Sequence, residues 1–142
     1  MFFMTADELS ITEPQRDALI KVLGLFEEGK MVHVKNISSL RDSYTPGKKR
    51  IFSHQFNMAD WSYPHSCGTI CCIGGTAELI GGVSFEHDND GVRFGTALYG
   101  LFYPQDLCGL GGYEEITPAQ AARALRSYLT VGRAKWSEAI AA

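Results

Sequence analysis

The residues in this chain that could do chemistry gather in one segment, His65-Ser66-Cys67-Gly68-Thr69-Ile70-Cys71-Cys72-Ile73-Gly74-Gly75. Gly68 lets the backbone turn sharply, and Thr69 is a residue type that caps helices, so Cys67 is expected at or just before a helix N-terminus. Unpaired amides and the positive end of the helix dipole favour a thiolate there. An accessible thiolate beside an imidazole would be a nucleophile for hydrolysis or group transfer. His65 and His87 are the candidate bases, with His54 in reserve, and Glu86 or Asp88 could orient one of them. The helix amides would then stabilise an oxyanion.

The same residues admit two other readings. His65-x-Cys67 followed by Cys71-Cys72, with His87 or Cys108 further on, supplies enough ligands for tetrahedral zinc. The spacing is wrong for a zinc knuckle, since no C-x₂-C is present. A metal is therefore not expected; His65, Cys67, Cys71 and Cys72 are the ligands if one binds. No cofactor is expected either. The third reading is structural and outweighs both: small segments rich in Cys, Ala and Gly pack close, and cysteine is among the most buried residue types. On it, Gly74 and Gly75 permit a tight helix crossing or a bend.

Elements that would position this segment are clearest at the two ends. Thr12-Glu13-Pro14-Gln15 has the grammar of a capping box, and Leu19, Val22, Leu23 and Phe26 follow as one apolar stripe before Gly29. Thr117-Pro118-Ala119-Gln120 repeats the grammar, with the stripe Ala121, Ala122, Leu125, Tyr128, Leu129 and a stop at Gly132. A final helix over Arg133 to Ala141 would dock through Trp136 and Ile140. Between them, Met31 to Val34 reads as a short strand. A helix is expected from about Thr69 to Gly81-Gly82, a hairpin around Asp88-Asn89-Asp90-Gly91, and a short helix from Thr96 to Phe102 stopped by Pro104. Residues 1–10 read as a flexible start, and 41–50 and 105–114 as loops. The sum is a single compact α+β domain, mostly helical, with about four to five short helices and a small β-hairpin or sheet.

Composition bounds the function. The chain has 142 residues, a length that suits one domain. No run approaches the ~20 apolar residues of a membrane span. Thirteen Lys and Arg against sixteen Asp and Glu give a net charge of −3, which disfavours a general binder of phosphate backbones. Met1-Phe2-Phe3-Met4 runs into Asp7 and Glu8 without a basic leader, so no secretory signal is expected. Clustered cysteines suit reduced thiols in a cytoplasmic protein. Charge is nevertheless uneven: from Thr117 onward Arg123, Arg126, Arg133 and Lys135 face only Glu138, while residues 1–28 are acidic. That asymmetry fits pairing of the terminal helices or a charged partner surface.

Several pieces together carry a resemblance. They are Phe56-x-Met58-x-x-Trp61, Cys67-Gly68-Thr69-x-x-Cys72-Ile73-x-Gly75, Leu101-Phe102-Tyr103-Pro104, Ile116-Thr117-Pro118-x-Gln120-Ala121-Ala122 and Gly132-x-x-x-Trp136. As a set they resemble a family of small uncharacterised bacterial and phage proteins. The chain departs from the family pattern at Gly74, where Ala is usual, and at Thr76, where an aromatic residue or His is common. The resemblance implies a phage, prophage or plasmid setting and no particular chemistry. It singles out Cys67 and Cys72 over Cys71, with Gly68, Thr69, Trp61 and Trp136 as the structural motif. The function expected is a small non-enzymatic interaction protein of mobile-element origin that binds a macromolecular partner, in its concrete form an inhibitor of a host defence complex. A protein or protein complex is favoured over free nucleic acid, with Arg123, Arg126, Arg133 and Lys135 as candidate contacts. A membrane and a small-molecule substrate are disfavoured. The alternatives are a cysteine-dependent hydrolase or transferase with Cys67 as nucleophile, and a zinc-stabilised binding module.

Overall fold

The structure, a computed structural model, describes residues 2–35, 44–45, 47–59, 61–65, 68–85, 96–104 and 113–141. It is an α+β domain, mostly helical, in which helices pack around and against a small sheet. In chain order the helices are α1 (Ala6–Leu9), α2 (Glu13–Glu27), α3 (Ile73–Gly81), α4 (Ala97–Phe102), α5 (Pro118–Val131) and α6 (Trp136–Ala141). A 3₁₀ turn, Tyr113–Glu115, precedes α5. The strands are β1 (Val32–His33), β2 (Gln55–Phe56), β3 (Ser62–His65) and β4 (Gly68–Cys71), ordered β1-β2-β4-β3. β1, β2 and β4 run parallel, and β3 returns antiparallel on β4.

The two long helices form for the local reasons the sequence shows. Thr12 accepts the Gln15 amide and its own amide donates to the Gln15 side chain; Thr117 and Gln120 repeat the exchange. Each box satisfies two amides that a bare helix end would leave unpaired. The expected stripes are the buried faces: Leu19, Val22, Leu23 and Phe26 on α2, and Ala121, Ala122, Leu125, Tyr128 and Leu129 on α5. Both pack into one core with Phe56, Ile73, Phe85, Leu101, Phe102 and Trp136. α4 begins at its Thr96 cap, as expected. A further turn, α1, is fixed by a capping box between Thr5 and Glu8, within the stretch read as a flexible start.

Other expectations need correction. The segment from Gly68 to Cys71 is a strand, not the first turn of a helix, and α3 starts only after Cys72. Short apolar runs such as Thr69-Ile70-Cys71 fit either state, and here β4 is the central strand, paired on both sides. The last helix begins at Trp136 rather than Arg133, because Gly132 ends α5 in the left-handed region and Lys135 stands at φ +52. Val83 to Phe85 is irregular rather than a strand, while the rest of the expected hairpin, residues 86–94, lies outside the described residues. The described hairpin is β3–β4. Within the loop expected over 41–50, Tyr44 pairs with His65 as an isolated bridge, and residues 41–43 and 46 lie outside the described residues, as do 105–112.

Candidate functional site

The cysteine segment is built from β4, the α3 N-terminus and the chain that precedes them. Cys67 and His87, the proposed nucleophile and one proposed base, lie outside the described residues, as does Cys108. Cys71 pairs with Phe56 on one side and Ser62 on the other, and is buried. Cys72 occupies the position expected of Thr69: it is the N-cap of α3, and its Sγ accepts the Gly75 amide at 3.5 Å. Neither Cys71 nor Cys72 is in a disulfide.

At Cys72 two electrostatic influences oppose each other. A thiol at a helix N-terminus gains from nearby amides, but Cys72 is also removed from water. Burial wins and pushes it up to about 12, against the opposing hydrogen bonds from Gly75 and Gly74. Cys72 is therefore a neutral cap at physiological pH. Thr69, instead of capping α3, is buried in β4, where its Oγ1 accepts the Ile51 amide and its own amide donates to Ser53 Oγ at 3.1 Å.

His65 ends β3 and is only 5% exposed. Its Nε2 lies 2.8 Å from Gln55 Oε1, and Lys48 Nζ donates to its carbonyl at 3.4 Å. Burial first, and the Lys48 charge second, lower its pKa, so the imidazole is held neutral. Beside it Gly68 stands at φ +136, where a Cβ would come within 2.7 Å of Ser53. Among the described residues no three His, Cys, Asp or Glu side chains converge in a way that could hold a metal ion.

Behind the thiols sits the pair of contacts that fixes the segment. The Trp61 ring covers Gly74 and its carbonyl oxygen presses on Gly75. Its indole Nε1 donates to Glu78 Oε1 at 2.6 Å, and the other Glu78 oxygen accepts the Phe85 amide at 2.8 Å. The ring meets Phe102 edge-on at 5.2 Å. The two glycines thus permit the close approach of an aromatic residue, not a crossing helix. Glu78 and Asn57 were invisible as site residues. Asn57 is fully buried; its Nδ2 donates to Val34 O at 2.8 Å and its amide to Cys71 O, joining the ends of β1 and β4. A polar residue inside an apolar stretch is the only sequence signal either one carries.

The four basic candidates separate. Arg126 is bound bidentately by Glu27 at 2.6 Å and stands over the Phe3 ring. That hydrogen bond holds Glu27 below the usual carboxylate range. Arg123 donates one guanidinium nitrogen to Ala139 O at 3.1 Å. Arg133 and Lys135 are exposed on the turn between α5 and α6, with no ion-pair partner among the described residues. Two shallow depressions adjoin at this elbow. One of about 410 Å³ is lined by Arg133, Lys135, Trp136 and the start of α4; the other, of about 270 Å³, by Arg123, Lys135 and Glu138. Trp136 itself is buried, its Nε1 donating to the Gly100 and Leu101 carbonyls. No helix is long and apolar enough to cross a membrane among the described residues. Comparison with protein-family models, with curated proteins and with solved structures finds no match to this chain.

Proposed function

We propose that this chain is a small cytoplasmic interaction protein of phage or mobile-element origin that acts by binding a protein or protein complex, in its concrete form an inhibitor of a host defence complex. The setting comes from the sequence resemblance. The observation that supports a structural use of the motif is the employment of Cys72, its thiol at the helix start. It caps α3 from inside the core, and burial raises it to about 12. A nucleophile needs the opposite, an accessible and acidified thiol. Trp61 closes the segment from behind, so the motif residues Trp61, Cys72 and Gly75 act together as packing.

The test is alkylation of the native protein by iodoacetamide at several pH values, with the modified cysteines mapped on peptides. Cys71 and Cys72 are expected to stay unmodified until the chain unfolds, and Cys67 to react no faster than glutathione. A Cys67 that alkylates many-fold faster than glutathione at neutral pH would overturn the reading in favour of a hydrolase or transferase with Cys67 as nucleophile.

A further inference from the structure

The elbow between α5 and α6 brings together what an interaction surface for an acidic partner needs. Its two depressions share Ala134 and Lys135, with Arg133 on one side and Arg123 on the other. Resting on the interaction-protein reading above, we infer that this elbow is the docking surface, and that its occupant is an acidic segment of a protein partner which also presents apolar side chains.

Charge complementarity carries the inference. The chain as a whole is acidic, at −3, yet this face is basic. Arg126 is already satisfied by Glu27, whereas Arg133 and Lys135 are exposed and pair with no carboxylate among the described residues. Arg123 spends one donor on Ala139 O and retains a guanidinium that can take a carboxylate. Between these cations Ala97 is exposed, while Ala134 and Ala139 lie largely buried at the floor. Val131, at the α5 end of the elbow, is a large aliphatic residue left 54% exposed. Mixed apolar and cationic lining suits a peptide with both kinds of side chain.

A nucleic acid would fit this surface less well. A duplex presents a charge every ~1.7 Å, and tight binding neutralises many phosphates at once. Three cations interrupted by Glu138, on an acidic chain, offer no continuous track. A few carboxylates spaced along a peptide match their number.

Selection from a displayed library of random twelve-residue peptides on the immobilised full chain tests this. Enriched peptides are expected to carry an acidic excess. As synthetic peptides they should bind more weakly in high salt, and lose at least ~10-fold in affinity to an Arg133→Glu/Lys135→Glu variant. Both positions are exposed, and an unchanged thermal melt confirms that the variant is folded. Lys49→Glu, in the exposed run Lys48-Lys49-Arg50 that lines neither depression, should bind the peptides as the parent chain does. Peptides without acidic bias, binding indifferent to the double charge reversal, or no enrichment at all would each overturn the assignment. So would a twenty-nucleotide single strand that binds more tightly than the peptides and is lost in the same variant, an outcome that would make the elbow a nucleic-acid site. None of these outcomes touches the thiol result, so loss of this surface and loss of the interaction-protein reading are separately visible.

Discussion

The Trp61 carbonyl oxygen occupies the space in which a side chain on residue 75 would have to begin. The chain entering β3 and the first turn of α3 are thereby in backbone contact. The indole then spans Gly74 and reaches Glu78 one turn further on. Trp61, Gly74, Gly75 and Glu78 form a clamp that sets how α3 leaves the sheet. Gly75→Ala is expected to cost at least ~3 kcal/mol, because the obstacle is backbone rather than a flexible side-chain end. Urea denaturation followed by circular dichroism measures it. A loss below ~1 kcal/mol would mean that the contact is not as tight as described.

Burial of the Cys72 thiol makes stability depend on alkaline pH. The folded value is about 12, above the ordinary thiol value near 9. The folded state therefore holds its proton more tightly than the unfolded one. This contribution is fully present below about pH 9 and is lost as pH rises toward 12. With ~1.4 kcal/mol per unit, the decline amounts to a few kcal/mol, on the order of 4 at its upper limit. Cys72→Ala should flatten the decline, and should also lose roughly 1 kcal/mol at neutral pH with the missing cap. Melting curves between neutral pH and about pH 11 compare the two proteins. An equally steep alkaline decline in the variant would contradict the assignment to Cys72.

Much of the scaffold was legible because its determinants are local. Thr12 with Gln15, and Thr117 with Gln120, stand three residues apart, and each stripe repeats within one helix. The same grammar at Thr5 and Glu8 has too short a segment behind it to stand out, although the box forms. The boundary near Thr69 was misplaced for a non-local reason. Whether Thr69-Ile70-Cys71 is strand or helix depends on Gln55–Phe56 and Ser62–His65 lying alongside, which no window around residue 69 contains. Displacing the cap from Thr69 to Cys72 changes the chemistry, since the thiol at the helix start is then a core residue. The charge asymmetry of the two ends was visible, but not its resolution. Arg126 and Glu27 are 99 positions apart, and only the packing of α2 on α5 decides that Arg126 meets a carboxylate while Arg133 meets none among the described residues.

Tyr128 is fully buried on α5, and its hydroxyl has no hydrogen-bond partner among the described residues. Burial alone raises its pKa. An unpaired buried hydroxyl loses its bonds to water and gains none in return, a penalty of ~1–3 kcal/mol. Tyr128→Phe keeps the ring and removes the orphan group. The variant is expected to be more stable by about 1 kcal/mol, seen as a higher midpoint in urea with an unchanged slope. It should also lack part of the decline above pH 10, where the unfolded phenol ionises and the buried one does not. A destabilised variant would show that the hydroxyl is bonded after all.

Lys135 makes the separation of stability from binding measurable at one position. It precedes α6, its carbonyl accepts the Glu138 and Ala139 amides, and its φ is +52. A residue with a Cβ is strained there by ~1–2 kcal/mol, whereas glycine is not. The side chain is exposed and makes no ion pair among the described residues, so the folded chain gains little from it. Lys135→Gly is therefore expected to hold or raise the melting temperature, the relief of strain being partly offset by a more flexible unfolded chain, for a net change under about 1 kcal/mol. If the elbow receives an acidic segment, the same substitution weakens that binding several-fold, because it deletes the cation common to both depressions. Paired melting and peptide-titration measurements decide the matter. A variant that is more stable and binds less tightly would show that this backbone strain is the cost of holding a charge in place. A variant equal to the parent in binding would leave the strain without a role at this surface.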